Sequence, residues 1–210
     1  MGDASLEAST IDYPGVLAGA PSSSPDEMAK VLAKQLSEMW KAAYVAITPR
    51  ETQIFFVRHG LFQYMFDHPM PPASAGVAPS PACESRLVAA FGWSTPQRLA
   101  RDDFRLRRWV GATEAFFGRG WDKGHFIAHS IGGAVDQCEL NVFVQRRDLN
   151  RGWSAAGKRF RLMEKYCFQN PGTFCFSRPI YTGGSARPGA LEFGVLTTEG
   201  EFWVELFDNR

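Results

Sequence analysis

Apolar residues first recur at helical spacing, then gather into short aromatic and β-branched runs. Met28, Val31, Leu32, Leu36, Met39, Trp40 and Ala43 lie three and four residues apart, which predicts a helix with one buried stripe running to about Ala43. Ser24-Pro25-Asp26-Glu27 supplies its start: a capping hydroxyl, a proline at the first helical position, and a glutamate three residues after the cap. Gln53 to Val57 and Leu61 to Phe66 predict buried strands broken near Gly60. Pro69 to Pro81 holds five prolines among Ala, Ser and Gly and reads as a surface loop or linker. A helical region over Ser85 to Phe91 is expected next, with a short helix after Ser94-Thr95-Pro96.

The second half reads as mixed α and β. Phe126 to Ile131 and Leu140 to Val144 are strand-like runs separated by a loop containing Gly132-Gly133. Trp153, Ala156, Phe160, Met163 and Cys167 form one helical stripe. Leu191 to Leu196 and Phe202 to Phe207 flank Thr197-Thr198-Glu199-Gly200-Glu201, which predicts a β-hairpin. Strand, loop, strand, helix and further strands make an α+β pattern, and no internal repeat is present. The expected division is a flexible leader over 1–23, a helical and strand region of unassigned role over 24–100, and an α+β domain over 101–210.

Composition narrows the class. The chain has 210 residues, 45% hydrophobic and 21% charged, with seventeen Phe and six Trp, which describes a globular protein with ample core material. No run of eighteen apolar residues exists, so no membrane span is expected. The first residues are acidic and rich in small side chains, unlike a secretory signal, which leaves a cytoplasmic location or export by another route. Net charge is only +1. Its distribution is uneven: Arg98 to Lys165 carries fourteen Lys/Arg against eight Asp/Glu, a net of +6, and the remainder carries nine against fourteen, a net of −5. A basic half suits a polyanion-binding face, with a solvated helix surface as the plainer reading. Arg98 to Arg108, with five arginines, is open to the same two readings, solvated helix or phosphate contact. The four cysteines form no CxxC pair, and Cys167 and Cys175 either pair in an oxidising compartment or remain buried thiols.

The polar residues that carry chemistry cluster downstream. Asp122-Lys123-Gly124-His125 is followed by Asn141, by Gln145 four residues later and by Asn150 five after that. Asn141 and Gln145 share a parity on the expected strand. Asn150 stands where the next helix should begin, as N-cap or as ligand. His129 shares a face with His125 on an extended chain and either contacts substrate or packs.

This order resembles the DNA/RNA non-specific endonucleases, the DRGH-type members of the ββα-metal nucleases. The matching residues are Asp122-Lys123-Gly124-His125, Asn141-Val142-Phe143-Val144-Gln145 and Leu149-Asn150-Arg151-Gly152-Trp153. Arg178-Pro179-Ile180-Tyr181-Thr182-Gly183 looks like the family's GPIY strand, and Phe202-Trp203-Val204 like its FWK strand. The likeness covers roughly Trp121 to Phe207. Lys123 stands where Arg is usual, and Lys158 where a glutamate often follows the ligand asparagine, while Glu164 lies further along.

The resemblance implies a ββα-metal core with an antiparallel sheet flanked by helices and an N-terminal extension. It implies metal-dependent, sequence-non-specific hydrolysis of phosphodiester bonds in DNA or RNA, leaving 3′-hydroxyl and 5′-phosphate ends. His125 would be the general base and Asn150 the ligand of Mg²⁺, with Mn²⁺ as a substitute. The chemistry is coherent: an imidazole of ordinary pKa about 6.5 can take a proton from water, and Mg²⁺ accepts oxygen donors while keeping several waters. Asn141 is expected to orient the imidazole. Lys123, Arg146, Arg147, Arg151 and Arg161 are candidates to brace the phosphate, with Gln145 and His129 as further substrate contacts. A toxin or defence role, with an inhibitor or immunity protein as partner, would suit such an enzyme. The alternatives are a nucleic-acid-binding or interaction protein without activity, and a zinc module built from His125, His129, Cys138 and Cys167.

Overall fold

The computed structural model describes residues 11–20, 24–48, 52–69, 85–97, 118–134 and 139–210. Among them the chain forms a six-stranded antiparallel sheet, a separate two-stranded antiparallel pair, and a few helices. In chain order the elements are α1 (Tyr13–Ala18), α2 (Pro25–Ile47), β1 (Thr52–His59), β2 (Phe62–Pro69), β3 (Leu87–Trp93), β4 (Trp121–His125), β5 (Val142–Arg146), α3 (Arg147–Asn150), α4 (Ala155–Gln169), β6 (Phe174–Tyr181), β7 (Pro188–Leu196) and β8 (Phe202–Asp208). The large sheet runs β1-β2-β3-β6-β7-β8, so strands from both halves of the sequence share it. No described helix is long and apolar enough to cross a membrane.

Both faces of the sheet are covered. On one face α2 lays Leu32, Leu36, Trp40 and Tyr44 against Met65, Val88, Phe91, Phe174 and Phe176. The Trp40 ring lies 4.8 Å from that of Phe176 and 5.4 Å from that of Phe91. On the other face α4 lays Phe160 edge-on to Phe193 and Phe207, with Met163 and Cys167 in the same core. Ser24 caps α2, its hydroxyl accepting from the Glu27 amide, and Ser154 caps α4 by accepting from Gly157 at 3.0 Å.

This double cover corrects one expectation. Ser85 to Phe91 was expected to be helical, yet Leu87–Trp93 is strand β3, buried along nearly its whole length. A strand packed on both faces loses the period-two alternation, and its continuous apolar run is then indistinguishable from a buried helix segment. The strand at Gln53 to Val57 differs in the opposite sense. As the edge strand β1 it alternates between exposed and half-buried positions and leaves Phe55 and Phe56 exposed. Within the segment expected to be a leader, residues 11–20 include helix α1, and Tyr13 is buried. The Tyr13 hydroxyl donates to Glu192 at 2.6 Å, Trp40 Nε1 donates to the Tyr13 oxygen at 3.1 Å, and Arg178 donates to Glu192 at 2.8 Å. The Pro-rich stretch after Pro69, the expected helix after Pro96, the basic run from Arg98, Cys83 and Cys138 lie outside the described residues.

Phe126 to Ile131 is not a strand. The strand lies one step earlier, at Trp121–His125, and His129–Ile131 forms a 3-10 turn. Asn141 explains why. Its backbone oxygen accepts from Phe126, its side-chain oxygen accepts from the Ile127 amide at 2.8 Å, and its amide donates to the carbonyls of Ile127 and Ala134 at 2.7 and 2.8 Å. One buried side chain thus satisfies backbone groups that a neighbouring strand would otherwise pair. Gly133 makes this approach possible, since a Cβ there would stand 2.0 Å from the Ile127 carbonyl oxygen.

The chain leaves the sheet after Trp93 and returns at Phe174, which pair directly across β3 and β6. Just beyond that pair the Ser94 amide donates to the Thr173 carbonyl at 2.9 Å and the Gly172 amide to the Ser94 carbonyl at 2.8 Å. β4, β5, α3 and α4 all lie in the chain between these two points.

Candidate active site

β4 and β5 pair with Asp122 opposite Gln145, Lys123 opposite Val144, Gly124 opposite Phe143 and His125 opposite Val142. α3 follows β5 without a gap, and the Arg147 amide donates back to the Gly120 carbonyl at 2.8 Å. The turn folds Asn150 over the strand pair. The result is a cavity of about 120 Å³ lined by Lys123, His125 and Ala128 from one side and Gln145, Asn150 and Arg151 from the other, with Arg161 and Glu164 closing it from α4. That volume admits several waters or a phosphoryl group.

Asp122 organises this arrangement. Its carboxylate accepts from Arg147 Nε at 2.9 Å, from Arg151 Nε at 2.7 Å and Nη2 at 3.2 Å, and from Asn150 Nδ2 at 3.3 Å. Because Nδ2 of Asn150 is committed to Asp122, the amide presents its oxygen elsewhere. Burial alone would raise the Asp122 carboxyl, but the hydrogen bonds from Arg151, Arg147 and Asn150 together outweigh it and hold the group below the usual carboxylate value. The sign of the pH dependence follows. A depressed folded-state pKa contributes stability that is present above the unfolded value of about 3.9 and is lost as pH falls through the lower folded value. Asp122→Asn is therefore expected to be less stable than wild type at pH 7, with the gap closing below about pH 4. Urea unfolding across that range measures it, and a gap as wide at pH 3 as at pH 7 would show that the charge of Asp122 contributes nothing.

Gln145 is fully buried, and both atoms of its side-chain amide lack a hydrogen-bond partner among the described residues. It lies against Gly124, where a Cβ would come 2.2 Å from the Gln145 oxygen. The Gly-His step thus leaves room for the amide beside the cavity. A buried amide without partners costs free energy of about 1–3 kcal/mol, which a bound polar group would recover. His125 Nε2 is likewise withdrawn from bulk solvent. Burial pulls the Lys123 ammonium below its ordinary value.

The other expected site residues are placed elsewhere. The Asn141 side chain accepts from the Ile127 amide and donates to the Ile127 and Ala134 carbonyls. His129 sits half-buried in the 3-10 turn and does not line the cavity. Arg146 pairs with Asp148 at 2.8 Å and Asp208 at 3.4 Å, outside the cavity. Arg147 is held by Asp122 and the Trp121 carbonyl and also stands outside it. Asn150 ends α3 and caps no helix, since Ser154 serves α4.

Two residues that shape the site were assigned no role in it from the sequence. Asp122 was noticed only as part of a motif. Glu164 is buried, lines the cavity and accepts from Arg161 at 3.0 Å. Its signal was present: Phe160, Met163, Glu164 and Cys167 share one helical stripe, and a carboxylate there must be buried.

Among the described residues no three His, Cys, Asp or Glu side chains gather as a metal site, so the described members of the zinc alternative do not assemble. Cys167 and Cys175 are free and buried, and the hydrogen bond that the Cys175 thiol makes to Cys167, together with burial, pushes that thiol well up.

No protein-family model matches the chain, and no curated protein matches it. Solved structures similar to it include "Structure of Sda1 nuclease with bound zinc ion", at 16% identity and a TM-score of 0.39 over 75% of this chain and 74% of that one. They also include an "extracellular endonuclease", at 13% identity and a TM-score of 0.37 over 77% of this chain and 80% of that one.

Proposed function

We propose that this protein is a metal-dependent endonuclease that hydrolyses phosphodiester bonds with little regard to sequence, and that β4, β5, α3 and α4 form a core of the ββα-metal type. One observation carries the reading: the amide of Gln145, unpartnered among the described residues, and the Asp122-held amide of Asn150 line the same small cavity as His125, Lys123, Arg151 and Arg161. A base, several cations and uncommitted polar atoms around a phosphoryl-sized space are what in-line hydrolysis of a phosphodiester requires.

The donor set suits a hard cation. The oxygens of Asn150 and Glu164, with that of Gln145 nearby, are amide and carboxylate ligands of the kind Mg²⁺ and Mn²⁺ prefer, with no thiolate among them. When bound, the cation would relieve charge on the phosphoryl and leaving oxygens. His125 takes the proton from the attacking water, and the partial enclosure of its Nε2 keeps bulk water from competing for that contact. Lys123, Arg151 and Arg161 hold the non-bridging oxygens, and Asp122 holds Arg151 and Asn150 in register. In this reading the described lining residues are all committed to the phosphate, the cation and the attacking water, so sequence preference should be weak.

Cleavage of supercoiled plasmid with Mg²⁺, with Mn²⁺ and with EDTA tests the reading. Nicking that proceeds with either cation and stops in EDTA is expected. A protein inert toward plasmid and RNA under every cation, yet retaining them in a gel shift, would instead be a binder that keeps the fold.

A further inference from the structure

We infer that Trp153 is a stacking platform for a nucleobase beside the scissile phosphate, which makes single-stranded or locally unpaired nucleic acid the preferred substrate. The inference rests on the nuclease reading and extends it to a contact that the phosphate-directed residues do not supply. Trp153 was expected in the apolar stripe of α4. It stands instead before the Ser154 cap and is 63% exposed, more than any other exposed large hydrophobic residue described.

Its position is fixed on both sides. The Trp153 amide donates to the Asp148 carbonyl at 2.9 Å, and Gly152 turns the chain with φ at +70°. One ring face carries the Arg151 guanidinium, whose carbon lies 5.1 Å from the ring centroid. Arg151 is itself locked by Asp122 and lines the cavity. The indole is thus one guanidinium away from the place where a phosphoryl group would sit. An adjacent nucleotide offers what the exposed remainder of the ring lacks: a flat apolar face attached to a charge that Arg151 already attracts. Stacking of this kind tolerates any base, in keeping with a site without base-edge contacts, but it needs the base outside a duplex.

The experiment is binding of a fluorescently labelled single-stranded oligothymidylate to the whole chain in EDTA, read by anisotropy, for wild type, Trp153→Ala and Trp153→Phe. The same strand with abasic sites and a duplex of equal length serve as comparisons. Trp153→Ala should weaken binding of the intact single strand about tenfold, and Trp153→Phe less than about threefold. The abasic strand and the duplex should bind wild type and Trp153→Ala within about twofold of each other. The inference is overturned if Trp153→Ala binds the intact strand as wild type does, or if its deficit persists on the abasic strand. Wild type that binds none of the three ligands, and cuts none with Mg²⁺, would sink the nuclease reading itself and the platform with it.

Discussion

His125→Ala should lower the rate of plasmid cleavage by on the order of a thousandfold while leaving the protein folded. A positioned general base contributes about a hundred to ten thousandfold, and a thousandfold corresponds to about 4 kcal/mol of transition-state stabilisation. The variant should fold because His125 is only half-buried at the end of β4 and belongs to neither apolar core. Its cation requirement should match that of wild type, since the proposed oxygen donors lie on other residues. Initial rates against Mg²⁺ concentration, with circular dichroism as the control for folding, measure both quantities. A variant retaining a tenth of wild-type activity would remove His125 from the role of base.

Asn150→Ala should fail differently. Loss of partners one shell out from a cation costs about ten to a hundredfold in affinity or activity, so loss of a direct oxygen donor should cost at least about a hundredfold. Here the defect should fall on the cation: half-maximal rate should need at least about tenfold more Mg²⁺, with partial recovery at high concentration. Asn150→Asp should not rescue it. The substitution keeps an oxygen but loses the Nδ2 donor and sets a second carboxylate against Asp122, where Asn150 now makes a 3.3 Å contact. An Asn150→Ala variant with an unchanged Mg²⁺ profile would take Asn150 out of the cation site. The pair of variants therefore separates proton transfer from cation binding, which plasmid cleavage by wild type alone cannot do.

The sequence was most legible where burial is one-sided. α2 and α4 follow their apolar periods because each turns one face to the core, while the β7–β8 hairpin was marked by the polar turn between its two apolar runs. β3 was misread because burial on both faces erases the period. β4 was missed for the opposite reason: Trp121-Asp122-Lys123-Gly124-His125 is mostly polar, and its strand exists through pairing with β5. At the site, the spacing together with the family resemblance pointed to Lys123, His125, Gln145, Asn150, Arg151 and Arg161, which the structure brings to one cavity. The backbone partners of Asn141, just ahead of β5, could not be read from spacing. Spacing gave no ranking among the arginines either. Arg146 and Arg147 are occupied by Asp148, Asp208 and Asp122, partners fixed only by how β4, β5, α3 and β8 meet.

The pairing of Trp93 with Phe174 gives the architecture a division of labour. The strands it joins are neighbours in the sheet, so the chain could pass from one to the other by a tight turn, and the cavity-bearing segment is a long detour between two points already in contact. A detour of that kind can lengthen, shorten or exchange residues without shifting the register of any strand in its host. The sheet can keep its strand register without that segment but not its core, because α4 brings Phe160, Met163 and Cys167 to one face; variation is therefore cheapest in the detour outside that helix.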